Sequence, residues 1–377
     1  MRVLTLVSAD QEPLDPEELR RCEARDEHPR ATVYQDTLNS DLLDEHFLRK
    51  APALRRGLYK WVPTYVAQVI EAFFVRKRYD AIVTWSDKIG LALAMVLKIT
   101  RAKVPHITLS SWISKPKKAI PLKLFHSHIH RIVLWSSVQR EYAISSLHLP
   151  ESKIAFTRWL VDQKFWRRLE VETDMISSVG RHMRDYPTLV EALRGLDIKC
   201  HIANGGTKGQ MFSTLEEPDD MDVLPDNITT GALDPVDLRK LYARSRFVVV
   251  PLLPTDTDNG VAVTLEAMAM GKAVICSHVA GQIDVIQAGK TGIYVPQGDP
   301  PALRNAIEFL WDHPEEAARM GQAAREYVEK YHTIDQFVDT IKGVVEDVVA
   351  ERSSAKNKAK SNASQSVLVD NASLTDR

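Results

Sequence analysis

The chain has 377 residues and nearly balanced charge, with 49 Lys and Arg, 50 Asp and Glu, and a formal net charge of −1. This length suits two domains with separate cores, and the charge balance argues against nucleic acid as a partner. The three cysteines form no CxxC pair, which argues against a disulfide framework or structural zinc site and favours a reducing cytoplasm. No run reaches the about 18 apolar residues of a membrane span.

Predicted strands and helices alternate along the first 160 residues. The apolar opening run reads as a core strand rather than a signal peptide, and the charged segment 10–30 reads as helix plus loop. Strands are predicted at 2–8, 31–35, 79–85, 104–110 and 130–136, and helices at 53–78 (broken near Pro63), 88–100 and 139–147. Such alternation is typical of a parallel sheet with helices on both faces.

The same alternation begins again after a connector at 160–172. Strands are predicted at 174–180, 199–205, 247–253, 272–277 and 292–296, and helices at 186–196, 235–244, 260–270, 301–312, 314–330 and 334–350. The chain is therefore predicted to be an α/β protein with two doubly wound, Rossmann-like domains. Ligands in such sheets bind at the carboxyl ends of the strands.

The segment 247–277 carries the most informative chemistry. It places Asp258 just before a predicted helix, Gly260 at its start, Glu266 two turns in and Gly271 at its end. Helix N-terminal amides stabilise anions, and glycine lets a ligand approach the backbone closely. Two carboxylates at this spacing can each accept hydrogen bonds from sugar or ribose hydroxyls. Alone, the D-x7-E spacing also fits an N-cap followed by a solvent-facing Glu.

The longer context resembles a known family. Asp258, the Glu266-Ala-Met-Ala helix, Gly271, the next strand and Gly281 follow the order of the donor-binding half of retaining family-four glycosyltransferases of the GT-B fold. The segment 177–193 resembles that family's Gly-Arg segment. The similarity covers about residues 130–335 and is weak over the first 130.

The resemblance implies two domains facing a cleft. Residues 1–165 would form the acceptor-side domain and 166–333 the nucleotide-sugar domain, 334–350 would be a helix crossing back onto the first domain, and 351–377 a disordered tail rich in Ser, Asn, Lys and Ala.

The resemblance also implies roles for individual residues. Glu266 would bind the ribose hydroxyls and Asp258 the donor sugar, while amides near Gly260 and Val261 would meet the sugar or phosphate. Arg181 and Arg184 would neutralise the diphosphate, because a guanidinium matches phosphate oxygens. Asp258, Arg181 and Arg184 are the predicted catalytic residues. The remaining donor-binding candidates are Gly205, Gly206 and Lys208.

The sequence departs from the family pattern at three places. Asp258 stands where the family has Glu, SADQEPLD replaces a glycine-rich loop after the first strand, and Ser111 occupies the position of the family's His. His106 comes earlier and is expected to point into the sheet. The leaving phosphate can itself take the acceptor proton, so the predicted transfer needs no imidazole.

The predicted function is transfer of a sugar from a UDP-, GDP- or other nucleotide-diphosphate sugar to a glycan, lipid-linked or small acceptor, with retention. This is chemistry of the EC 2.4 type, with no cofactor and no metal required. The alternatives are a catalytically inactive sugar-nucleotide-binding protein and a sugar-nucleotide epimerase. The alternating His126, His128 and His130 lack a fourth zinc ligand.

Charge is distributed unevenly along the chain. Between His46 and His130 there are 16 Lys and Arg against 3 Asp and Glu. The segments 46–65 and 114–131 mix basic residues with Leu, Phe, Tyr and Trp, a combination that suits an anionic membrane face. The expected location is the cytoplasm, with peripheral contact at the inner face of the membrane; a solvated basic face is the alternative.

Overall fold

The structure, a computed structural model, describes residues 1–7, 14–204 and 224–373, with side chains as far as 354. The first six-stranded sheet has the order β2-β1-β3-β4-β5-β6, and all pairings are parallel. Its strands are β1 (Val3–Leu6), β2 (Ser40–Leu43), β3 (Ala81–Thr84), β4 (His106–Leu109), β5 (Arg131–Leu134) and β6 (Ile154–Phe156).

The helices of this domain cover both faces of its sheet. They are α1 (Pro16–Ala24), α2 (Thr32–Leu38), α3 (Glu45–Arg49), α4 (Ala53–Tyr59), α5 (Thr64–Val75), α6 (Asp87–Ile99), α7 (Pro116–Phe125) and α8 (Ser137–Glu141). Helices α5, α6 and α7 pack on one face, and α2 packs on the other. Pro63 separates α4 from α5, because proline lacks the amide that a continuous helix would need there.

The second six-stranded sheet has the order β12-β11-β10-β7-β8-β9, also parallel throughout. Its strands are β7 (Met175–Val179), β8 (Cys200–Ala203), β9 (Ile228–Thr230), β10 (Ser245–Val250), β11 (Ala273–His278) and β12 (Gly292–Pro296). The strand order reverses between β7 and β10. In doubly wound sheets this switch point opens a crevice for a ligand.

Helices α9 and α12 pack on one face of the second sheet, and α10 and α11 pack on the other. These helices are α9 (Tyr186–Leu193), α10 (Pro235–Arg244), α11 (Val261–Ala269), α12 (Pro300–Asp312) and α13 (Pro314–Tyr331). The predicted α/β class with two doubly wound domains is confirmed.

The last helix, α14 (Ile334–Ser373), packs on the first domain. Its buried residues Phe337, Val338 and Ile341 join the same core cluster as Val3 and Ile107. The helix continues into the segment after Glu351, where the composition predicts disorder. Disorder of this segment in solution stays a prediction.

One predicted strand is wrong. Residues 32–35 lie in α2, with Ala31 as its N-cap, and the strand that pairs with β1 is Ser40–Leu43. The run of Thr, Val and Tyr favours a strand locally, but Tyr34 and Leu38 bury one face of the helix against α14 and the sheet. Tertiary packing therefore overrides a weak local preference.

Candidate functional site

Two loops meet at the switch point of the second sheet. Arg184, in the loop after β7, forms an antiparallel bridge with Leu252, in the loop after β10. The amide of Leu253 also donates to the carbonyl of Met183 at 3.0 Å. The pairing holds the predicted diphosphate-binding loop at the carboxyl ends of β7 and β10, where a ligand is expected in this class of sheet.

The Arg184 guanidinium is bound by main-chain carbonyls. Its Nε donates to the Val179 oxygen at 3.0 Å and its Nη1 to the His182 oxygen at 2.9 Å. Among the described residues no carboxylate pairs with it, and burial lowers the pKa of its side chain. A guanidinium positioned in this way keeps a positive charge that a phosphate group can neutralise.

Two glycines make room for this guanidinium. Gly180 has φ +111° and Gly260 has φ +87°, both in the region that favours glycine. A β-carbon on Gly180 would overlap the Arg184 guanidinium, and one on Gly260 would lie 3.0 Å from Val250 Cγ1 and 3.5 Å from Arg184 Nη1. Gly180 was not among the predicted site residues, although it directly precedes the candidate Arg181.

The N-terminus of α11 faces the same place. Gly260 is its N-cap, and no side chain within the described part of the chain caps it. The amide of Val261 donates to the carbonyl of Asp258 at 3.1 Å, while Ala262 in the first turn is exposed. First-turn amides and the helix dipole favour an anion at such an end.

Glu266 lies in α11, four residues after Ala262, and both residues line a cavity of about 540 Å³ between the two domains. The hydroxyl of Tyr242 donates to the Glu266 carboxylate at 2.9 Å. Burial raises the pKa of Glu266 to about 7, and the Tyr242 hydrogen bond offsets part of that rise. The aromatic side chains of Trp85 and Trp166 also line this cavity. Tyr242 carried no motif that could have identified it.

Asp258 is placed in a second, smaller cavity. This cavity has a volume of about 200 Å³, and Val261, Trp135 and Trp159 also line it. Asp258 is buried, and its Oδ1 lies 3.2 Å from the Thr257 hydroxyl. Burial raises the pKa of Asp258 to about 6. Because Trp159 also borders the larger cavity, the two predicted carboxylates lie in neighbouring spaces at the start of α11.

Side chains from both domains meet beside Asp258. The indole of Trp112 donates to Asp256 Oδ1 at 2.7 Å, and the hydroxyl of Thr257 donates to the carbonyl of Ser111 at 3.0 Å. Ser111 occupies the position where the family resemblance would place a His. It contributes a main-chain oxygen to the domain contact.

His106 is buried inside the first sheet, as expected. Its Nε2 lies 3.1 Å from the hydroxyl of Thr84 and its Nδ1 3.3 Å from the carbonyl of His128. Burial lowers the pKa of His106 to about 3, so the ring is neutral in the physiological range. His106 is therefore a structural residue of β4.

The remaining candidates are placed as follows. Arg181 is half-buried in the same loop as Arg184. Gly205, Gly206 and Lys208 lie outside the described residues. Within the described ranges, no group of His, Cys, Asp and Glu side chains could hold a metal ion, and this includes the three alternating histidines of the sequence. Metal independence stays a prediction.

Two parallel α/β domains that face each other across a ligand crevice define the GT-B class of glycosyltransferase folds. Residues 176–313 match the family model "Glycosyl transferases group 1". This match lies within the second domain and includes Arg181, Arg184, Asp258 and Glu266. This segment is therefore similar to that family of glycosyltransferases.

Curated relatives match the same half of the chain. The D-rhamnosyltransferase WbpZ of Pseudomonas aeruginosa is 28% identical over 162 residues, which are 42% of this chain and 41% of the relative. A D-inositol 3-phosphate glycosyltransferase of Gordonia bronchialis is 29% identical over 136 residues, 35% of this chain and 28% of the relative. The chain thus matches less than half the length of either relative.

Solved structures match nearly the whole chain in fold. Sucrose-phosphate synthase from Thermosynechococcus elongatus has a TM-score of 0.67 at 15% identity, covering 93% of this chain and 100% of that chain. Anabaena HepE in complex with UDP-glucose has a TM-score of 0.64 at 14% identity, covering 93% and 99%. Both domains, including the first, therefore share the fold of these proteins.

Proposed function

We propose that the chain transfers a sugar from a nucleoside diphosphate sugar to an acceptor hydroxyl. The observation that carries this proposal is the Arg184 guanidinium, held between Gly180 and Gly260 without a carboxylate partner among the described residues. The start of α11 supplies amides to the same place. A charged guanidinium and a helix N-terminus together suit a diphosphate.

The rest of the donor extends from this diphosphate in two directions. Glu266 accepts hydrogen bonds from the ribose hydroxyls at the edge of the larger cavity, where Trp85 and Trp166 provide apolar walls for the nucleoside. Asp258 accepts a hydrogen bond from the transferred sugar in the smaller cavity. Because the two cavities adjoin at the start of α11, one donor molecule can span both.

The transfer breaks the bond between the anomeric carbon and the β-phosphate oxygen and forms a bond from that carbon to the acceptor oxygen. The acceptor proton passes to the leaving diphosphate, which Arg184 and the α11 amides stabilise as negative charge develops. A retaining, front-face course fits this arrangement, because His106 is buried away from the crevice and Ser111 offers no basic side chain. Membership of the retaining family four is part of this proposal.

The relatives support a nucleotide-sugar donor. HepE is described in complexes with UDP-glucose and with UDP, and the curated relatives are named as a rhamnosyltransferase and an inositol-phosphate glycosyltransferase. We propose a glycan or lipid-linked acceptor on the first domain.

Calorimetric titration with UDP, GDP and ADP tests the diphosphate site. We expect at least one nucleotide to bind, and Arg184→Gln to weaken it by about 10- to 100-fold, because a charged hydrogen-bonding group is lost. The control is Arg194→Gln, an exposed arginine that pairs with Glu191. If no nucleotide binds, or if both variants bind like wild type, the proposal is wrong.

Release of nucleoside diphosphate from the matching sugar donor separates an enzyme from a binding protein. We expect slow hydrolysis by the wild-type chain and faster release when glycan or lipid acceptors are added. Tight binding without any turnover favours the inactive binding protein, for which the missing imidazole at Ser111 is the specific argument.

We also propose that the outer face of α4 to α7 contacts an anionic membrane. Large apolar side chains are exposed there, with Leu54 at 90% and Trp61 at 87%. Helices α5, α6 and α7 lie side by side, and the exposed apolar residues on and beside them are Phe74, Met95, Ile99, Ile120 and Leu124. Among the described helices, none has the length and apolarity to cross a bilayer.

Each of the three acids of this region has a hydrogen-bond or ion-pair partner. Glu71 accepts from the Tyr59 hydroxyl at 2.6 Å, Asp87 pairs with Lys118 at 2.6 Å, and Asp80 accepts from a backbone amide at 2.8 Å. The 16 basic residues between 46 and 130 therefore dominate the charge of this surface. Apolar side chains among basic ones match the interface of an anionic bilayer.

A further inference from the structure

Three residues that line the smaller cavity carry four buried polar atoms with no hydrogen-bond partner within 3.5 Å among the described residues. They are Asp258 Oδ2, both amide atoms of Gln282, and His332 Nε2. The three residues are 8%, 0% and 2% exposed, and all of them line the cavity of about 200 Å³. Folded proteins rarely leave buried polar groups unpaired, so a cavity with four such atoms is suited to a polar ligand.

The tautomer of His332 follows from the hydrogen bond that its Nδ1 makes. Nδ1 lies 2.8 Å from the carbonyl oxygen of Trp159, which can only accept, so Nδ1 carries the proton and donates. Burial lowers the pKa of His332 to about 4, and the ring is neutral at physiological pH. Its Nε2 therefore carries an unpaired lone pair, and His332 lines the cavity.

The four unpaired atoms offer more acceptors than donors. Asp258, His332 and the Gln282 carbonyl accept, whereas the Gln282 amino group donates. A complementary ligand must supply several donors and some acceptors on a compact framework, as neighbouring hydroxyl groups do. A carboxylate group supplies no donor, and it would meet the negative charges of Asp258 and of Asp284, which also lines the cavity. Arg158 in the same lining is exposed, and its guanidinium lies over the ring of Tyr331 at 4.5 Å.

The position of the cavity fits the sugar end of a donor. Val261 and Asp258 line it, and they flank Gly260, against which the Arg184 guanidinium lies. A sugar on a diphosphate held by Arg184 is thus directed toward this space.

We propose that this cavity receives the hydroxyl groups of the transferred sugar, and that Gln282 and His332 select a neutral sugar over a uronic acid. The inference rests on the proposed function. It adds two specificity residues that neither the D-x7-E motif nor the family match assigns.

His332 also couples the cavity to the connections between the domains. The amide of Val161 donates to the carbonyl of His332 at 2.8 Å, and Val161 forms a parallel bridge with Thr333. Residues 159–161 enter the second domain and 332–334 leave it. His332 therefore lies where the two connections between the domains pair.

The test compares the binding of UDP-glucose, UDP-glucuronate and UDP by calorimetry, or of GDP-mannose, GDP-mannuronate and GDP if the protein binds guanine. The variants are Gln282→Leu and His332→Phe, and the control is His313→Phe, an exposed histidine at the end of α12. Thermal unfolding of each variant establishes that it is folded.

We expect wild type to bind the neutral donor at least about tenfold more tightly than the uronate. Each cavity variant should weaken the neutral donor about tenfold and leave binding of the nucleoside diphosphate unchanged. Equal weakening of donor and diphosphate, unchanged donor binding, or a preference for the uronate would overturn the inference. Absence of any diphosphate binding is a separate result that removes the proposed function itself.

Discussion

The guanidinium of Arg184 occupies the space that a β-carbon on Gly180 would need. The two residues lie at the ends of one short loop, and the hydroxyl of Tyr186 donates to the carbonyl of Gly180, which fixes the loop further. Gly180 therefore leaves room for the Arg184 side chain, and it also allows the turn of the backbone. This relationship makes Gly180 a positioning residue for the proposed diphosphate site.

Gly180→Ala should weaken nucleoside diphosphate binding by about tenfold or more, because the added methyl displaces Arg184 and strains a backbone with φ +111°. Calorimetric titration measures the loss. The control is Gly195→Ala, where φ is +76° but nothing lies within 4 Å of the added carbon. Equal effects of both substitutions on binding would show that general backbone strain, and not Arg184, is responsible.

Glu266 should make the free energy of unfolding depend on pH. Its pKa in the folded protein, about 7, lies above the usual glutamate value of 4.5. A carboxyl group whose pKa is higher in the folded than in the unfolded protein contributes its full stabilisation at pH values below its unfolded-state pKa. That contribution is lost as the pH rises through its folded-state pKa. Glu266→Gln should therefore match wild type near pH 4.5 and exceed it at pH 8, by at most about 3 kcal/mol.

Urea unfolding between pH 4.5 and 8 measures this difference. Glu315→Gln, an exposed change in the first turn of α13, is the control and should follow the wild-type curve. Parallel curves for wild type and Glu266→Gln would contradict the raised pKa of Glu266. Tyr242, which donates to Glu266, is unchanged in wild type and in both variants.

Asp258 should bind a sugar hydroxyl more strongly as a carboxylate than as a neutral acid. Since its pKa is raised to about 6, donor affinity relative to the bare nucleoside diphosphate should fall as pH drops below that value. Asp258→Asn should lower this ratio about tenfold at pH 8 and remove its pH dependence. Asp312→Asn, an exposed change at the end of α12, should have no effect. A pH-dependent ratio that persists in Asp258→Asn would assign the titration to another group.

Membrane contact should depend on the exposed apolar residues Leu54 and Trp61. We expect the chain to sediment with anionic vesicles and not with neutral phosphatidylcholine vesicles, and the double change to Ser to reduce sedimentation several-fold. Phe309→Ser, which removes an exposed apolar side chain from α12, is the control. If sedimentation is the same with anionic and neutral vesicles, or is unchanged in the double variant, the basic face is solvated and does not bind the membrane.

The sequence by itself determined most of the strands and helices, because buried side chains recur with the period of each element. It also identified Glu266, Asp258 and Arg184 through their order around one strand-loop-helix segment. It failed at 31–35, where short runs of β-branched and aromatic residues fit either a strand or a helix. Packing against α14, some 300 residues away in the chain, decides between strand and helix. A local sequence pattern carries no information about such a distant contact.

Only the tertiary structure decided which side chains share a cavity. Tyr242 approaches Glu266 from another helix, and Gln282 and His332 join Asp258 from two later segments. None of these three residues carries a motif, because burial and orientation, rather than residue type, give them their hydrogen-bonding capacity. The strand order of the second sheet and the return of the chain to the first domain bring these residues to the site. The spacing of residues along the sequence does not specify how the chain crosses between strands or between domains.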